Sequence, residues 1–123
     1  MTTKNIGDFG EEAAVNHLIE KGYTILERNW RLNHLEVDII AANRDFIVFC
    51  EVKTRDYNAQ LSPQDAVDST KQRNMISAAN AYVKFNKRDE EVRMDIISIV
   101  HHNCEVLEIE HVEDAFYPTL RTR

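Results

Sequence analysis

Two short charged segments on either side of a predicted turn constrain this chain more than any other feature. They read Glu36-Val37-Asp38 and Glu51-Val52-Lys53. Successive side chains of a strand point to opposite faces of a sheet, so each segment would place two charged side chains on one face. The segments between them predict a hairpin of two strands, with Arg44 and Asp45 as its two-residue turn.

This hairpin would bring like charges together. Its register places Asp38 opposite Glu51 and Glu36 opposite Lys53. Directly opposed side chains have Cβ atoms roughly 4.5 to 5.5 Å apart, and like charges there are destabilising. A divalent cation between Asp38 and Glu51 would relieve the repulsion, and Mg²⁺ commonly binds through one or two carboxylates. The alternative is a solvated hairpin face on which Glu36 and Lys53 form a surface ion pair worth under about 1 kcal/mol.

The other faces of both strands are apolar, which favours the metal interpretation. The apolar set is Val37, Ile39 and Ala41 on the first strand, and Phe46, Val48, Cys50 and Val52 on the second. Such strands are typical of a sheet in the interior of a fold. Charges on an interior sheet cost desolvation energy unless they are paired or bind a metal.

The rest of the chain predicts two helices among five strands. A first helix is expected from about Asp8 to Lys21, with Asp8 and Glu11 spaced as in a capping box and Gly22 as its stop. A second helix would begin at Ser62 and Pro63 and end near Asn86. The predicted strands are Tyr23 to Trp30, Leu35 to Ala42, Phe46 to Thr54, Val92 to Val100 and Glu105 to Ile109. The segment from Val112 onward yields no prediction.

The resulting fold class is α/β, with the order αβββαββ and a mixed central sheet flanked by helices. At 123 residues the chain, residues 1–123, is expected to form a single domain. It contains no apolar run near the roughly 18 residues of a membrane span, and the N-terminus lacks the apolar region of a signal peptide. We therefore expect a cytoplasmic protein without a membrane partner. Cys50 and Cys104 lack CxxC spacing and are interpreted as buried or incidental thiols.

The charged segments and their surroundings resemble a known group of proteins. The matching text is Gly10-Glu11-Glu12, Gly22-Tyr23-Thr24-Ile25-Leu26-Glu27-Arg28-Asn29, Glu36-Val37-Asp38-Ile39-Ile40-Ala41, Glu51-Val52-Lys53-Thr54-Arg55 and Arg93-Met94-Asp95. This ordered set resembles the UPF0102 (YraN-like) family of small bacterial proteins. Asp38 followed by Glu51-Val52-Lys53 resembles the PD-(D/E)XK nuclease signature, and the family is related to archaeal Holliday junction resolvases. Leu35 replaces the glycine usual before the Glu-x-Asp strand, so Asn33 and His34 must shape that turn.

The resemblance implies a restriction-endonuclease-like fold and metal-assisted hydrolysis of DNA phosphodiester bonds. In that case Asp38, Glu51 and the backbone carbonyl of Val52 would hold Mg²⁺ or Mn²⁺, and Lys53 would orient or deprotonate the attacking water. Glu36 would tune Lys53 or accept a second cation. Glu11 would approach the metal or orient its water; the alternative is that it only completes the capping box. Glu12 is the substitute if the register differs by one residue.

The charge balance speaks against a simple nucleic-acid-binding surface. The formal net charge is −6 at pH 7, whereas nucleic-acid-binding domains commonly present a basic face. A local patch would be needed, for which the candidates are Arg28, Arg31, Arg55, Lys71, Arg73, Lys84, Lys87 and Arg88. Lys71 could meet a phosphate, or lie on a solvated helix face.

Two functions remain open from the sequence. One is an endonuclease acting on branched or nicked DNA; the other is a catalytically silent DNA-binding or DNA-repair scaffold that retains the nuclease fold. A protein-interaction module has no positive support. Junction, flap, single-strand and RNA substrates are not separated by these residues, and exposed edge strands would offer surfaces for a homodimer.

Residues of the last two strands are given structural roles. Asp95 is expected to anchor Arg93 or a backbone group. For His101, His102 and His111 no acid or nucleophile stands at useful spacing, so no function is predicted.

Overall fold

The computed structural model describes residues 3–59 and 68–116, which form two helices and five strands. In chain order the elements are α1 (Thr3–Glu20), β1 (Thr24–Leu32), β2 (Leu35–Ala42), β3 (Phe46–Asp56), α2 (Ser69–Phe85), β4 (Glu91–His102) and β5 (Glu105–Val112). The predicted αβββαββ order is confirmed.

The sheet is mixed, with the spatial order β1-β2-β3-β4-β5. Neighbouring strands are antiparallel except for β3 and β4, which are parallel. A parallel pair needs a crossover connection, usually a helix, and here the connection contains α2. The crossover leaves β3 in the middle of the sheet, between β2 and β4.

The β2–β3 hairpin has the predicted two-residue turn. The Asn43 N–H donates to the Phe46 carbonyl over 2.9 Å, which closes the turn at Arg44 and Asp45. The register pairs Ile39 with Cys50 and continues evenly to the turn. The even register required for a carboxylate pair is therefore confirmed.

A helix covers each face of the sheet. Ala14 and Leu18 of α1 pack in one core with Ile39, Cys50 and Ile97. On the other face, the core contains Met75, Ala79 and Tyr82 of α2 together with Ile40, Ile47, Phe49 and Met94. The predicted interior position of β2 and β3 is confirmed, because side chains of both strands are buried on both faces.

The alternation of faces along β2 breaks at Asp38. Val37 belongs to the core under α2, whereas Ile39 belongs to the core under α1. The prediction that these two residues share one apolar face is wrong. The break lies opposite an irregularity of the neighbouring strand, where Asn29 has a φ of 52°, a left-handed conformation that asparagine tolerates better than most residues. The β1–β2 pairing skips Asn29 and Asp38 while it continues on both sides of them.

Helix α1 begins earlier than the sequence pattern indicates. The first helix already includes Thr3, so Asp8 lies inside it and the predicted capping box is wrong. Two acids three residues apart also lie on one face in the middle of a helix, so this spacing does not by itself mark a helix start. The second helix has Asp68 as its N-cap, with the carboxylate accepting from the Lys71 N–H over 2.8 Å. The predicted start at Ser62 and Pro63 lies outside the described residues.

Other boundaries follow the predictions closely. Gly22 has a φ of 94°, the left-handed conformation that commonly ends a helix. Asn33 has a φ of 56° and forms the turn between β1 and β2 together with His34. This agrees with the expectation that these two residues shape the turn because Leu35 replaces the usual glycine. Past β5, Phe116 packs into the α2-side core. Cys50 is buried and Cys104 is half-buried.

Helix α1 lies unusually close to the sheet at Gly10. A Cβ atom built on Gly10 would overlap the side chain of Thr54 on β3. Only glycine permits this approach, which carries the next residue, Glu11, toward the end of the β2–β3 pairing. Among the described residues, neither helix has the length and apolar character needed to cross a membrane.

Candidate functional site

Strands β2 and β3 part beyond Ile39 and Cys50, and the resulting fork carries the candidate site. Pairing between the two strands ends at Ile39 and Cys50, whereas β3 stays paired with β4 along its whole length. Asp38 and Glu51 are the next residues on either branch. The Val52 N–H, which faces the fork, donates to Asp38 Oδ2 over 2.8 Å. The Asp38 carboxylate thus replaces the strand partner that this backbone group would otherwise have.

The Glu51 carboxylate is nearly buried and already has a cationic partner. Its side chain is 9% exposed, and Oε2 lies 2.6 Å from the Nζ atom of Lys71. Lys71 stands in the first turn of α2. Its side chain is half exposed, as a solvated helix face requires, but its ammonium also pairs with Glu51.

The two carboxylates at the fork share one electrostatic environment. Burial raises the pKa of Asp38, and the Val52 N–H and the charge of Lys71 offset this only in part. Burial likewise raises the pKa of Glu51, the charge of Asp38 raises it further, and Lys71 again opposes the rise. Burial alone would lower the pKa of Lys71, but its bond to Glu51 and the nearby acids raise it. A cation at the fork would therefore be stabilised by two desolvated carboxylates.

Lys53 and Glu36 do not form the predicted cross-strand pair. Lys53 follows two positions after Glu51 on β3, and its charge acts on the Glu51 carboxylate. Glu36 lies opposite Arg31 of β1, and its carboxylate accepts a hydrogen bond from Arg31 Nη2 over 3.4 Å. The splaying of the strands at the fork separates the backbone of Glu36 from that of Lys53.

Glu11 reaches the fork from α1. It lines a cleft of about 420 Å³ together with Asp38, Val52 and Thr54. Asn29 Nδ2 donates to Glu11 Oε1 over 2.8 Å, so the left-handed residue of β1 orients this carboxylate. Burial raises the pKa of Glu11, with a smaller contribution from the charge of Asp38.

Glu12 is not needed as a substitute for Glu11. Its side chain is 57% exposed and lies 3.1 Å from Arg28 Nη1. Of the two acids, Glu11 is the one that lines the cleft with Asp38.

The predicted DNA-contacting cations do not form an uncompensated patch. Arg28 contacts Glu11 and Glu12, Arg31 contacts Glu36, and Lys71 contacts Glu51. Arg55 lies further along β3 and is partly exposed. Of the further candidates, Arg88 pairs with Glu90 and Arg73 donates to Thr70, while Lys84 and Lys87 are exposed on the surface. Three cations therefore neutralise three of the candidate site carboxylates.

A second polar cluster was missed by the sequence reasoning about histidines. Asp95 is fully buried and accepts from Arg93 Nε and Nη2, over 3.0 and 2.9 Å, and from the Asp114 N–H over 3.0 Å. The prediction that Asp95 anchors Arg93 or a backbone group is confirmed for both.

His111 has an acid partner after all. Its Nε2 atom lies 2.7 Å from Asp95 Oδ2, and its Nδ1 atom lies 3.0 Å from His17 Nε2. The contacts join α1, β4 and β5. The sequence signal for this cluster was weak. His17 lies at helical spacing from the buried residues of α1, and His111 alternates with polar residues along β5.

The fit of this site to a metal rests on two carboxylates. Within residues 3–59 and 68–116, three or more His, Cys, Asp or Glu side chains nowhere converge as a metal-binding group. Asp38 uses Oδ2 for the Val52 N–H and Glu51 uses Oε2 for Lys71, and the two side chains are also hydrogen-bonded to each other. Such a sparse, all-oxygen set suits Mg²⁺ or Mn²⁺, which keep several waters, better than Zn²⁺.

Fold and fork together define the class: a small α/β domain with a mixed sheet between two helices and paired carboxylates where two strands diverge. The chain belongs to the uncharacterised protein family UPF0102, whose family model matches residues 10–99. The predicted membership is confirmed.

Relatives match over almost the whole chain. A UPF0102 protein of Parabacteroides distasonis is 43% identical over 117 residues, covering 95% of this chain and 96% of that protein. A UPF0102 protein of Flavobacterium psychrophilum is 45% identical over 113 residues, with 92% and 94% covered. A UPF0102 protein of Chlorobium chlorochromatii is 42% identical over 121 residues, with 94% of both chains covered.

Proposed function

We propose that this protein is a metal-dependent endonuclease that hydrolyses phosphodiester bonds in branched or nicked DNA. The observation that carries the proposal is the fork, where Asp38 and Glu51 stand on diverging strands with Lys53 two positions further along β3. The order of these three residues resembles the PD-(D/E)XK signature. That resemblance is the reason to propose a relation to archaeal Holliday junction resolvases.

Asp38, Glu51 and the backbone carbonyl of Val52 would hold Mg²⁺ or Mn²⁺. In a strand, the N–H and C=O groups of one residue point toward the same neighbouring strand. Since the Val52 N–H meets Asp38, the Val52 carbonyl also faces the fork. A bound ion would lower the pKa of a water and neutralise charge on phosphate oxygens.

The chain's own side chains would supply the remaining chemistry. The Lys53 ammonium would orient the attacking water and stabilise negative charge that develops on the phosphate. Groups in such a role typically contribute about 10²- to 10⁴-fold in rate. Glu11, fixed by Asn29, would accept a hydrogen bond from water in the cleft that it shares with Asp38. Glu36 is neutralised by Arg31 at an exposed position and has no step assigned.

The test is a cleavage assay with Mg²⁺ and Mn²⁺ on a panel of junction, flap, nicked and linear DNAs. Asp38→Ala should abolish cleavage. Lys53→Ala should lower kcat by about 10²-fold or more while DNA affinity stays nearly unchanged, because its interaction is made mainly in the transition state. Glu108→Gln, an exposed change on β5, is the matched control and should cleave like the parent. Equal activity of Asp38→Ala and the parent would refute the proposed site.

The second candidate function is a silent DNA-binding scaffold, and one observation favours it. Arg28, Arg31 and Lys71 neutralise site carboxylates within the chain itself, so the acids do not require a metal for compensation. In this case no DNA in the panel is cut, and Lys53→Ala weakens only a salt-dependent DNA affinity, reducing the salt slope by about one.

A further inference from the structure

Lys71 occupies a place at the fork that a divalent cation would contest. Its Nζ atom lies 2.6 Å from Glu51 Oε2, the shortest ion pair made by any of the site carboxylates in the described chain. Glu51 is the more buried partner, and Lys71 keeps half of its side chain in solvent. The carboxylate is therefore fixed, whereas the ammonium has room to move.

The position of Lys71 in α2 allows its side chain to move without loss of the helix. The helix is capped by the side chain of Asp68 acting on the backbone N–H of Lys71, so the cap does not depend on the lysine side chain. The side chain also borders a second cleft of about 260 Å³, lined by His34, Glu36, Asp68, Thr70, Asn74 and Met75. An ammonium that leaves Glu51 would remain at the rim of this cleft.

We propose that Lys71 is an internal counter-ion that competes with the divalent cation for Glu51 and, once displaced, binds a phosphate of the nucleic acid. This inference rests on the proposed metal site and adds a regulatory residue to it. Two positive charges cannot share one buried carboxylate without repulsion. Metal binding is consequently weak while Lys71 holds Glu51, and becomes stronger when a phosphate takes up the lysine. Such coupling is reciprocal: metal must strengthen phosphate binding by the same factor.

The first test measures binding of Mn²⁺ alone to metal-free protein by titration calorimetry at pH 8. Lys71→Met removes the charge and preserves the bulk of the side chain. The variant should bind Mn²⁺ about fivefold more tightly or better. Lys21→Met, a change of an exposed lysine that pairs with Glu113 away from the fork, should bind Mn²⁺ like the parent. Circular dichroism of each protein in EDTA verifies that α2 is retained.

The second test measures Ca²⁺ binding with and without a short junction DNA. The DNA should raise the Ca²⁺ affinity of the parent more than that of Lys71→Met, since only the parent must release Glu51. An unchanged or weaker Mn²⁺ affinity in Lys71→Met, with the parent still binding metal, would overturn the role of Lys71 alone. Failure of both the parent and Lys71→Met to bind Mn²⁺ would overturn this role and the proposed function together.

Discussion

At the scale of single residues, a side chain at the fork takes the place of a backbone hydrogen-bond acceptor. The Val52 N–H has no strand partner where β2 turns away, and the Asp38 carboxylate takes that place. A buried backbone donor must be satisfied, so Asp38 has a structural role as well as its proposed catalytic one. Asparagine could perform the structural role, because its amide oxygen accepts the same bond, but it cannot carry the charge.

We predict that Asp38→Asn stabilises the protein at neutral pH. Because burial raises the pKa of Asp38 above its ordinary 3.8, the folded state keeps this proton at pH values where the unfolded state has lost it. The parent therefore loses stability as pH rises through that window, and the variant avoids this loss. Urea unfolding at pH 7 should give a higher free energy for the variant, and the difference should vanish below about pH 4.

Asp45→Asn, an exposed change in the hairpin turn, is the control for the loss of one negative charge. A gain at pH 7 that persists unchanged at pH 3 would show that the effect has another origin than ionisation of Asp38.

At the scale of elements, the site depends on how closely α1 approaches β3. Gly10 allows the helix to rest on Thr54, and Glu11 then lines the cleft at the fork. A helix pushed outward would withdraw Glu11 from Asp38 and separate it from Asn29. The small residue therefore sets the position of a charged one.

Gly10→Ala should destabilise the protein although alanine favours helices. The added methyl group overlaps Thr54, and overpacking typically costs about 1 to 3 kcal/mol. Gly7→Ala is the matched control, since a Cβ atom there meets nothing within 4 Å, and it should stabilise by up to about 1 kcal/mol. Thermal unfolding of both variants provides the measurement. A gain in stability for Gly10→Ala would contradict the close contact.

The elements also show what the sequence can and cannot predict. Strand β2, predicted from Leu35 to Ala42, has those bounds, because its pattern is local and its turns are short. The break of alternation at Asp38 could not be foreseen, since it accompanies the left-handed Asn29 on the neighbouring strand, which no pattern within β2 reveals. The contact of Lys71 with Glu51 likewise depends on the crossover that carries α2 over the sheet, which no local pattern encodes.

At the scale of the whole molecule, the cluster around Asp95 ties together elements that are distant in the chain. Tyr23 accepts from Arg93, Arg93 and His111 bind Asp95, and His17 meets His111. These contacts lie on the α1 side of the sheet, away from the Glu51 branch of the fork. They hold α1 and the edge strand β5 to the centre, and so fix the frame on which α1 presents Glu11.

Removal of this charge should weaken the entire fold. Asp95→Asn leaves Arg93 without its buried carboxylate, and removal of one partner of a buried pair costs about 3 to 5 kcal/mol. Burial opposes ionisation of Asp95, but its bonds to His111 and Arg93 prevail and its pKa is lowered from 3.8. The stabilisation is thus present above that value and is lost as pH falls below it. Urea unfolding should show a large deficit at pH 7 that shrinks in acid.

Glu91→Gln, an exposed change on the same strand, should behave like the parent at both pH values. A deficit under about 1 kcal/mol for Asp95→Asn would mean that the cluster acts as an ordinary surface ion pair.

The hydrogen bond between the Val52 N–H and Asp38 also provides an NMR signal that reports on the fork. Backbone amide protons in the paired part of β3 face neighbouring strands, whereas this one donates to an ionisable group. Its chemical shift in a nitrogen–proton NMR spectrum should follow the protonation of Asp38 and any exchange of ligands at that carboxylate. The chemical shifts of the Ile47 and Val48 amides, which lie inside the β2–β3 hairpin, should not change. The Val52 amide signal would then report metal binding at the fork without any need for a cleavage assay.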